Sequence, residues 1–300
     1  MRYLVIRTEN LSKSYGRHSA LRNLTLEVEP GEIYGVLGPQ GSGKTTLIHL
    51  LLNVAHPSNG NARIMGLDCH RQGEKVRSLV GFGPEKISTR LKGEGEKSLI
   101  HFANSRGRAD LGIALEIAEK FKLDLQKPVA AYNQGELRQL ELVQAFMFQP
   151  ELVILDEPSR DLDSNGQAVL YQLINAVRAE GRTVFITSES LVEMERICDR
   201  VAVLYRGGLL AVERGVQLRA RALRHIEMRF AGPVSREDFS GIANLNNLVL
   251  EDNKLRCTLQ GDPDVLIKAA SRHRIMDFIS QQPSLEEVYQ TYYGLPTYAA

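Results

Sequence analysis

The residues with the plainest chemistry are Gly38-Pro39-Gln40-Gly41-Ser42-Gly43-Lys44-Thr45, which fit the pattern G-x-x-x-x-G-K-[ST]. Glycines at these spacings let backbone N–H groups curl around a phosphate. Lys44 can reach β- and γ-phosphate oxygens, and the Thr45 hydroxyl can ligate Mg²⁺. A helix opening at Lys44–Thr46 points its positive end at the same anion. The second element is Leu152-Val153-Ile154-Leu155-Asp156-Glu157-Pro158, an apolar run ending in two carboxylates. Behind a phosphate-binding loop, such a pair places Asp156 near the Mg²⁺ shell and Glu157 near an attacking water, as general base.

These groups need strands that end where they begin. Glu32–Leu37 reads as a short apolar strand running into the loop, followed by a helical stretch over Thr45–Asn53. Residues 2–8 and 21–28 read as strands, Asn59-Gly60 as a turn, and 62–65 and 80–83 as strands. Residues 93–148 carry helical patterns over 97–103, 111–121 and 136–148. Strands return at 152–155, 183–187 and 200–205, separated by helices near 163–179 and 190–197. The alternation implies a mostly parallel sheet covered on both faces, an α/β fold. Arg206-Gly207-Gly208 reads as a hairpin turn, and a short helix is expected over 216–223. From His225 the pattern resets to a small α+β unit of ferredoxin-like order, closing with a helix over 284–293. The expected domains are 1–222 and 223–300.

Composition sets outer limits. The 300 residues are ample for a packed core, and the formal net charge of +1 provides no global field to recruit nucleic acid. Cys69, Cys198 and Cys257 are scattered and read as free thiols in a reducing compartment. No window holds the ~18 continuous apolar residues of a membrane span. The N-terminal MRYLVIRTENLSKSYG has charges where a secretory signal would be apolar. A cytoplasmic chain is therefore expected, with any membrane role reached through a partner. The basic run Arg214, Arg219, Arg221, Arg224 and Arg229 reads as a solvated face.

Between loop and carboxylates lies Tyr132-Asn133-Gln134-Gly135-Glu136, followed by Leu137-Arg138-Gln139-Leu140. The order of phosphate loop, helical insert, this segment and then Leu-Asp-Glu-Pro resembles the nucleotide-binding domain of ABC transporters over residues 1–222. The tail Gln282-Pro283-Ser284-Leu285-Glu286-Glu287-Val288-Tyr289 resembles the end of ABC-2-type exporter ATPases. The resemblance implies a P-loop NTPase fold with an antiparallel β subdomain and a helical subdomain over about 93–148, plus the small C-terminal domain. It implies ATP and Mg²⁺ as ligands: Gly38 through Thr46 around the phosphates, Tyr15 stacking on adenine, and Thr45, Glu85 and Asp156 around the metal. It also implies a dimer in which the signature, here Asn133–Glu136, caps ATP held by the opposing subunit. Asp163 is the family's D-loop aspartate. The implied partners are an integral membrane permease and a second ABC ATPase, identical or not. The chain would sit peripherally at the inner face of the cell membrane. Residues 86–110 would lie near the groove for a cytoplasmic helix of the permease.

The sequence departs from that family at the site. The signature Ser, first Gly and Gln are Asn133, Gln134 and Glu136, while Gly135 is kept. The Q-loop glutamine is Glu85, and the D-loop has Asp161 for Gly. The switch histidine is Glu189, with no histidine between His101 and His225 to stand in. An ionised carboxylate offers acceptors only, so a donor to the γ-phosphate is lost. The expected function is the ATP-binding subunit of an ABC-2-like exporter with reduced hydrolysis. The alternative is a hydrolysis-impaired half of a heterodimer that holds ATP as a structural or regulatory module. A non-transport ABC ATPase of DNA repair or translation lacks support, because neither a long coiled-coil insert nor a tandem duplication is present.

Overall fold

The computed structural model describes residues 3–85, 93–108, 110–215, 223–281 and 287. The chain divides into two compact units, Met1–Glu213 and Arg214–Ala300. The expected junction at 222/223 adjoins residues 216–222, which lie outside the described residues; so do all but Leu223 of the helix expected over 216–223, Leu223 itself being strand, and most of the helix expected over 284–293.

The first unit is built on two sheets. One is antiparallel, in the order β2-β1-β4-β5, from β1 (Ile6–Tyr15), β2 (His18–Val28), β4 (Asn59–Ile64) and β5 (Leu67–Asp68). Here the sequence reading is corrected. The first strand runs four residues later than residues 2–8 suggest at its start and continues to Tyr15. Its alternation is hidden by register shifts between Thr8 and Ser14 and by Asn10 at φ 47°. Asn59-Gly60 is the start of β4 rather than a free turn. Gly60 sits at φ 77°, where a Cβ would lie 2.3 Å from Asn10 O, so only glycine fits against the bulge.

The second sheet has six strands in the order β10-β9-β3-β8-β7-β6. They are β3 (Ile33–Leu37), β6 (Val80–Gly83), β7 (Leu152–Asp156), β8 (Thr183–Ser188), β9 (Arg200–Tyr205) and β10 (Gly208–Arg214). The pairs β9–β3, β3–β8, β8–β7 and β7–β6 are parallel. Every residue of β3, β7 and β8 is buried. This is why they read as continuous apolar runs: a parallel strand covered on both faces has no polar side. The helices α1 (Lys44–Leu51), α2 (Gly73–Leu79), α6 (Ser164–Ala179) and α7 (Leu191–Ile197) follow strands. A separate helical group, α3 (Gly95–Ser105), α4 (Gly112–Phe121) and α5 (Gln134–Phe146), packs together and sets α5 against β6 and β7. No helix among the described residues is long and apolar enough to cross a membrane.

The second unit holds β11 (Leu223–Phe230), β12 (Leu245–Glu251), β13 (Lys254–Gln260), α8 (Asp264–Ala270) and β14 (Ile275–Gln281), with a 3₁₀ turn at Arg236–Phe239. The sheet order is β12-β13-β11-β14, with every recorded pair antiparallel. That is the ferredoxin-like split βαβ arrangement. Its core gathers Ile226, Met228, Phe230, Phe239, Leu255, Leu259 and Leu266.

Candidate nucleotide-phosphate site

Parallel register assembles the site. On β3 and β8, Leu37 lies beside Ser188; on β7 and β8, Asp156 lies beside Thr187; on β6 and β7, Gly83 lies beside Leu155. The segments that leave these strand ends, Gly38 onward, Glu157, Glu189 and Pro84-Glu85, therefore emerge side by side at the carboxyl edge. In an open parallel sheet, that edge is where ligands bind.

The loop is held in shape from behind. Gly38 N–H donates to Ser188 O at 3.3 Å and Ser42 N–H to Pro39 O at 3.1 Å. Gly207 N–H donates to Ser42 O at 3.0 Å, while Arg22 N–H donates to Gly207 O at 2.8 Å. Arg206 and Gly207, at φ 48° and 80°, form the two-residue hairpin turn between β9 and β10. A Cβ on Gly38 would lie 2.3 Å from Ser42 Oγ and 2.7 Å from Leu204 O. Gly43 at φ 106° begins α1, and a Cβ there would meet Ala20 O at 2.6 Å. Gly41, at φ 78°, faces open space. The first turn of α1 has N–H groups with no intrahelical acceptor, as every helix start does.

Lys44 is buried and carries the site's charge. Its ammonium donates to Gly38 O at 2.6 Å and Pro39 O at 3.2 Å, and lies 3.2 Å from Glu157 Oε1 and 3.5 Å from Glu189 Oε1. Glu189 N–H donates to Glu157 Oε2 at 3.3 Å. Burial pushes the Glu157 carboxyl up; the Lys44 ammonium opposes this and Glu189 adds to it. A carboxyl raised by burial is a better proton acceptor than an exposed one. Glu157 itself sits at φ 48°, a conformation that non-glycine residues adopt rarely.

Thr187, which the sequence reading passed over, organises the carboxylate pair. Its hydroxyl donates to Asp156 Oδ1 at 2.5 Å and accepts from Glu157 N–H at 3.2 Å. The only sequence signal was a hydroxyl ending an apolar strand. Asp156 is raised chiefly by burial, against hydrogen bonds from Thr187 and Thr45. Thr45 Oγ1 also donates to Glu85 Oε2 at 3.3 Å. One hydroxyl and two carboxylates thus converge, an oxygen set that suits Mg²⁺. Among the described residues no group of three His, Cys, Asp or Glu forms a closed metal site; phosphate oxygens and water would have to complete the shell. Glu85 Oε1 is meanwhile paired with Arg160 at 2.7 Å.

In the sequence Arg138 stood only within the run Leu137–Leu140 after the signature. It is fully buried. Its guanidinium donates to Pro84 O and, at 2.5 Å, to Glu85 O, and pairs with Glu141 at 3.3 Å. It fastens α5 to the segment carrying Glu85.

The four signature positions lie at the start of α5. Asn133 Oδ1 accepts from Glu136 N–H at 2.9 Å, and Glu136 Oε2 accepts from Asn133 N–H at 2.8 Å, a reciprocal capping box. Glu136 is also paired with Lys127 at 2.8 Å, which holds its carboxyl below the usual range. Asn133 and Gln134 are exposed. Gly135 faces the D-loop: a Cβ there would lie 2.9 Å from Asp161 O. Asp161, where the family has Gly, sits at φ 66°. Asp163 caps α6, accepting from Gly166 N–H at 2.7 Å. Tyr15 ends β1 with 48% of its surface exposed, and the Lys13 ammonium lies 4.8 Å from its ring centre. Residues 86–92 and 109, within the expected permease groove, lie outside the described residues. All three cysteines are buried and free, and burial raises their thiols, so they take no part in this chemistry.

Comparison with known proteins bears on the family and the fold. Residues 21–160 match the family described as ABC transporter. The chain is 30% identical to the bacitracin transport ATP-binding protein of Enterococcus faecalis, over 84% of this chain and 83% of that one. It is 32% identical to a daunorubicin resistance ATP-binding protein of Streptomyces coeruleorubidus, over 72% and 70%. Among solved structures, the ATP-binding subunit of an ABC transporter superposes with a TM-score of 0.66 at 25% identity, covering 70% of this chain and 90% of that one. A dimeric bacterial ABC transporter cassette superposes at 0.63 and 20% identity, over 70% and 98%, which bears on fold alone.

Proposed function

This chain belongs to the ABC transporter family as an ATP-binding subunit of the exporter type, and from that premise we propose that it holds Mg·ATP at Lys44 and Thr45 and hydrolyses it slowly. The observation that carries the reading is the convergence of Lys44, Thr45, Asp156, Glu157 and Glu85 at one carboxyl edge of the sheet. Gly38–Thr46 wrap the phosphates, with the first turn of α1 supplying N–H groups and Lys44 its charge. Tyr15 offers its half-exposed ring to adenine. Thr45, Asp156 and Glu85 would hold Mg²⁺, which would neutralise phosphate charge.

In the reaction, Glu157 takes a proton from the water whose oxygen attacks the terminal phosphorus. The bond to the bridging oxygen breaks and the diphosphate leaves. Phosphoryl transfer rests on positioning and charge stabilisation. Where relatives of this family place a donor to the γ-phosphate, this chain has the Glu189 carboxylate, so the step is slow. The chain works as a dimer in which Asn133–Glu136 of one copy face the nucleotide of the other, beneath a membrane permease at the inner face of the cell membrane. Closure on ATP moves the permease, and hydrolysis resets it.

A second reading has support in the same residues. With Glu189 beside Lys44 and Asn133 and Glu136 committed to a helix cap, the chain would be the non-hydrolysing half of a heterodimer. The test is transport and ATPase activity of the assembled complex carrying Glu157→Gln. Loss of both supports the first reading, and unchanged transport the second. Rapid ATP turnover by the chain alone would exclude both.

A further inference from the structure

We infer that Glu189 acts as an internal occupant of the terminal-phosphate position and biases the site toward nucleoside diphosphate over triphosphate. The inference rests on the phosphate-loop reading above and adds a preference to it. Three observations carry it. First, the Lys44 ammonium, whose reach is to β- and γ-phosphate oxygens, already lies between two carboxylates, 3.2 Å from Glu157 Oε1 and 3.5 Å from Glu189 Oε1. Second, Glu189 is fixed there by its backbone: its N–H is bonded to Glu157 Oε2 at 3.3 Å, and the preceding Ser188 O accepts from Gly38 N–H of the loop at 3.3 Å. Third, the two carboxylates differ in exposure. The Glu157 side chain is 12% exposed and that of Glu189 41%. Glu189 is therefore on the side from which a ligand comes, while Glu157 closes the back.

A diphosphate places its terminal phosphate in the N–H cradle of the loop, where it can share Lys44 with Glu189 but brings no group into the position that the Glu189 carboxylate fills. A triphosphate brings a further anionic group to the one cation that two carboxylates already share. To bind, it must turn Glu189 out into solvent or accept like-charge repulsion. Glu189 is exposed enough to turn out, so triphosphate still binds; the cost appears as a shift in preference. Since the contact is partly solvated, added salt should narrow the difference.

The test is calorimetric titration of the purified full chain with Mg·ADP and with Mg·ATP at low and high salt, for the parent and for Glu189→Gln and Glu189→Ala, with Lys44→Ala as the control for binding at the loop. The expected result is that the parent binds ADP at least as tightly as ATP. Both Glu189 variants should move the ratio of the two Kd values about tenfold toward ATP, mainly by tightening ATP. A parent that favours ATP, or a ratio that moves less than about twofold in both variants, overturns the inference while leaving the loop reading intact. If neither nucleotide binds the parent or the Glu189 variants, the loop reading itself fails and the inference falls with it.

Discussion

Gly135 has no room for a side chain, because a Cβ there would lie 2.9 Å from the carbonyl oxygen of Asp161. The start of the signature helix and the D-loop come together at this point. Gly135→Ala must push the two apart. We expect it to cost about 1–3 kcal/mol, as overpacking does, read as a lower denaturant midpoint.

Arg138 ties α5 to the segment bearing Glu85 through Pro84 O and Glu85 O, and it is fully buried beside the Glu141 carboxylate. Removing Arg138 takes a buried guanidinium from two carbonyl acceptors and a carboxylate at once. Arg138→Ala should therefore cost on the order of 3–5 kcal/mol, and Arg138→Leu combined with Glu141→Leu should recover much of it. Equilibrium unfolding of the single and double variants checks both statements.

Lys44 serves the apo chain as well as the ligand. Lys44→Ala should weaken nucleotide binding by about 10- to 100-fold, the loss of a charge-assisted contact. It should also lower the melting temperature without nucleotide, because Glu157 and Glu189 then face each other with no cation between them.

The α5 cap should respond to acid. Asn133→Ala should cost about 1 kcal/mol and Asn133→Ser almost nothing, since serine caps equally well. Lys127 holds the Glu136 carboxyl below its ordinary range. The resulting stability is present above the ordinary carboxylate range and is lost as pH falls through the lowered pKa. The pair is partly exposed, so Glu136→Gln should cost under about 1 kcal/mol at neutral pH and nothing at low pH. Melting temperatures across an acid series would show the two curves converging.

Glu193 should behave in the opposite sense. It is buried, with Tyr171 Oη donating to it at 3.3 Å, and burial pushes its carboxyl up. The neutral form is the one the fold prefers, so its contribution is fully present below the ordinary carboxylate range and is lost as pH rises through the raised pKa. Glu193→Gln should melt higher than the parent at pH 8, and the gain should shrink toward pH 4.

What the sequence disclosed follows from how local each feature is. Residues 38–45 declare their task because consecutive glycines and one lysine suffice for it, and strands 152–156 and 183–188 declare themselves by unbroken burial. The order of β11 to β14 was legible for the same reason: short alternating segments between turns. Strand β1 was misplaced because its bulge at Asn10 breaks the period, and Gly60 was taken for a turn because the backbone of Asn10 that forbids a Cβ there is distant in sequence. Thr187, Arg138 and Arg160 gained their roles only when β6, β7 and β8 were set side by side. No window of sequence contains Thr187 together with Asp156, or Arg138 together with Pro84.

The hairpin turn Arg206-Gly207 stands behind the phosphate loop and pins Ser42 O through the Gly207 N–H. The loop is therefore shaped during folding, and no search through loop conformations is left for the moment of encounter. For a nucleoside diphosphate, which leaves Glu189 where it is, arrival should accordingly be that of a key in a lock already cut: a single exponential phase whose rate rises linearly with nucleotide concentration.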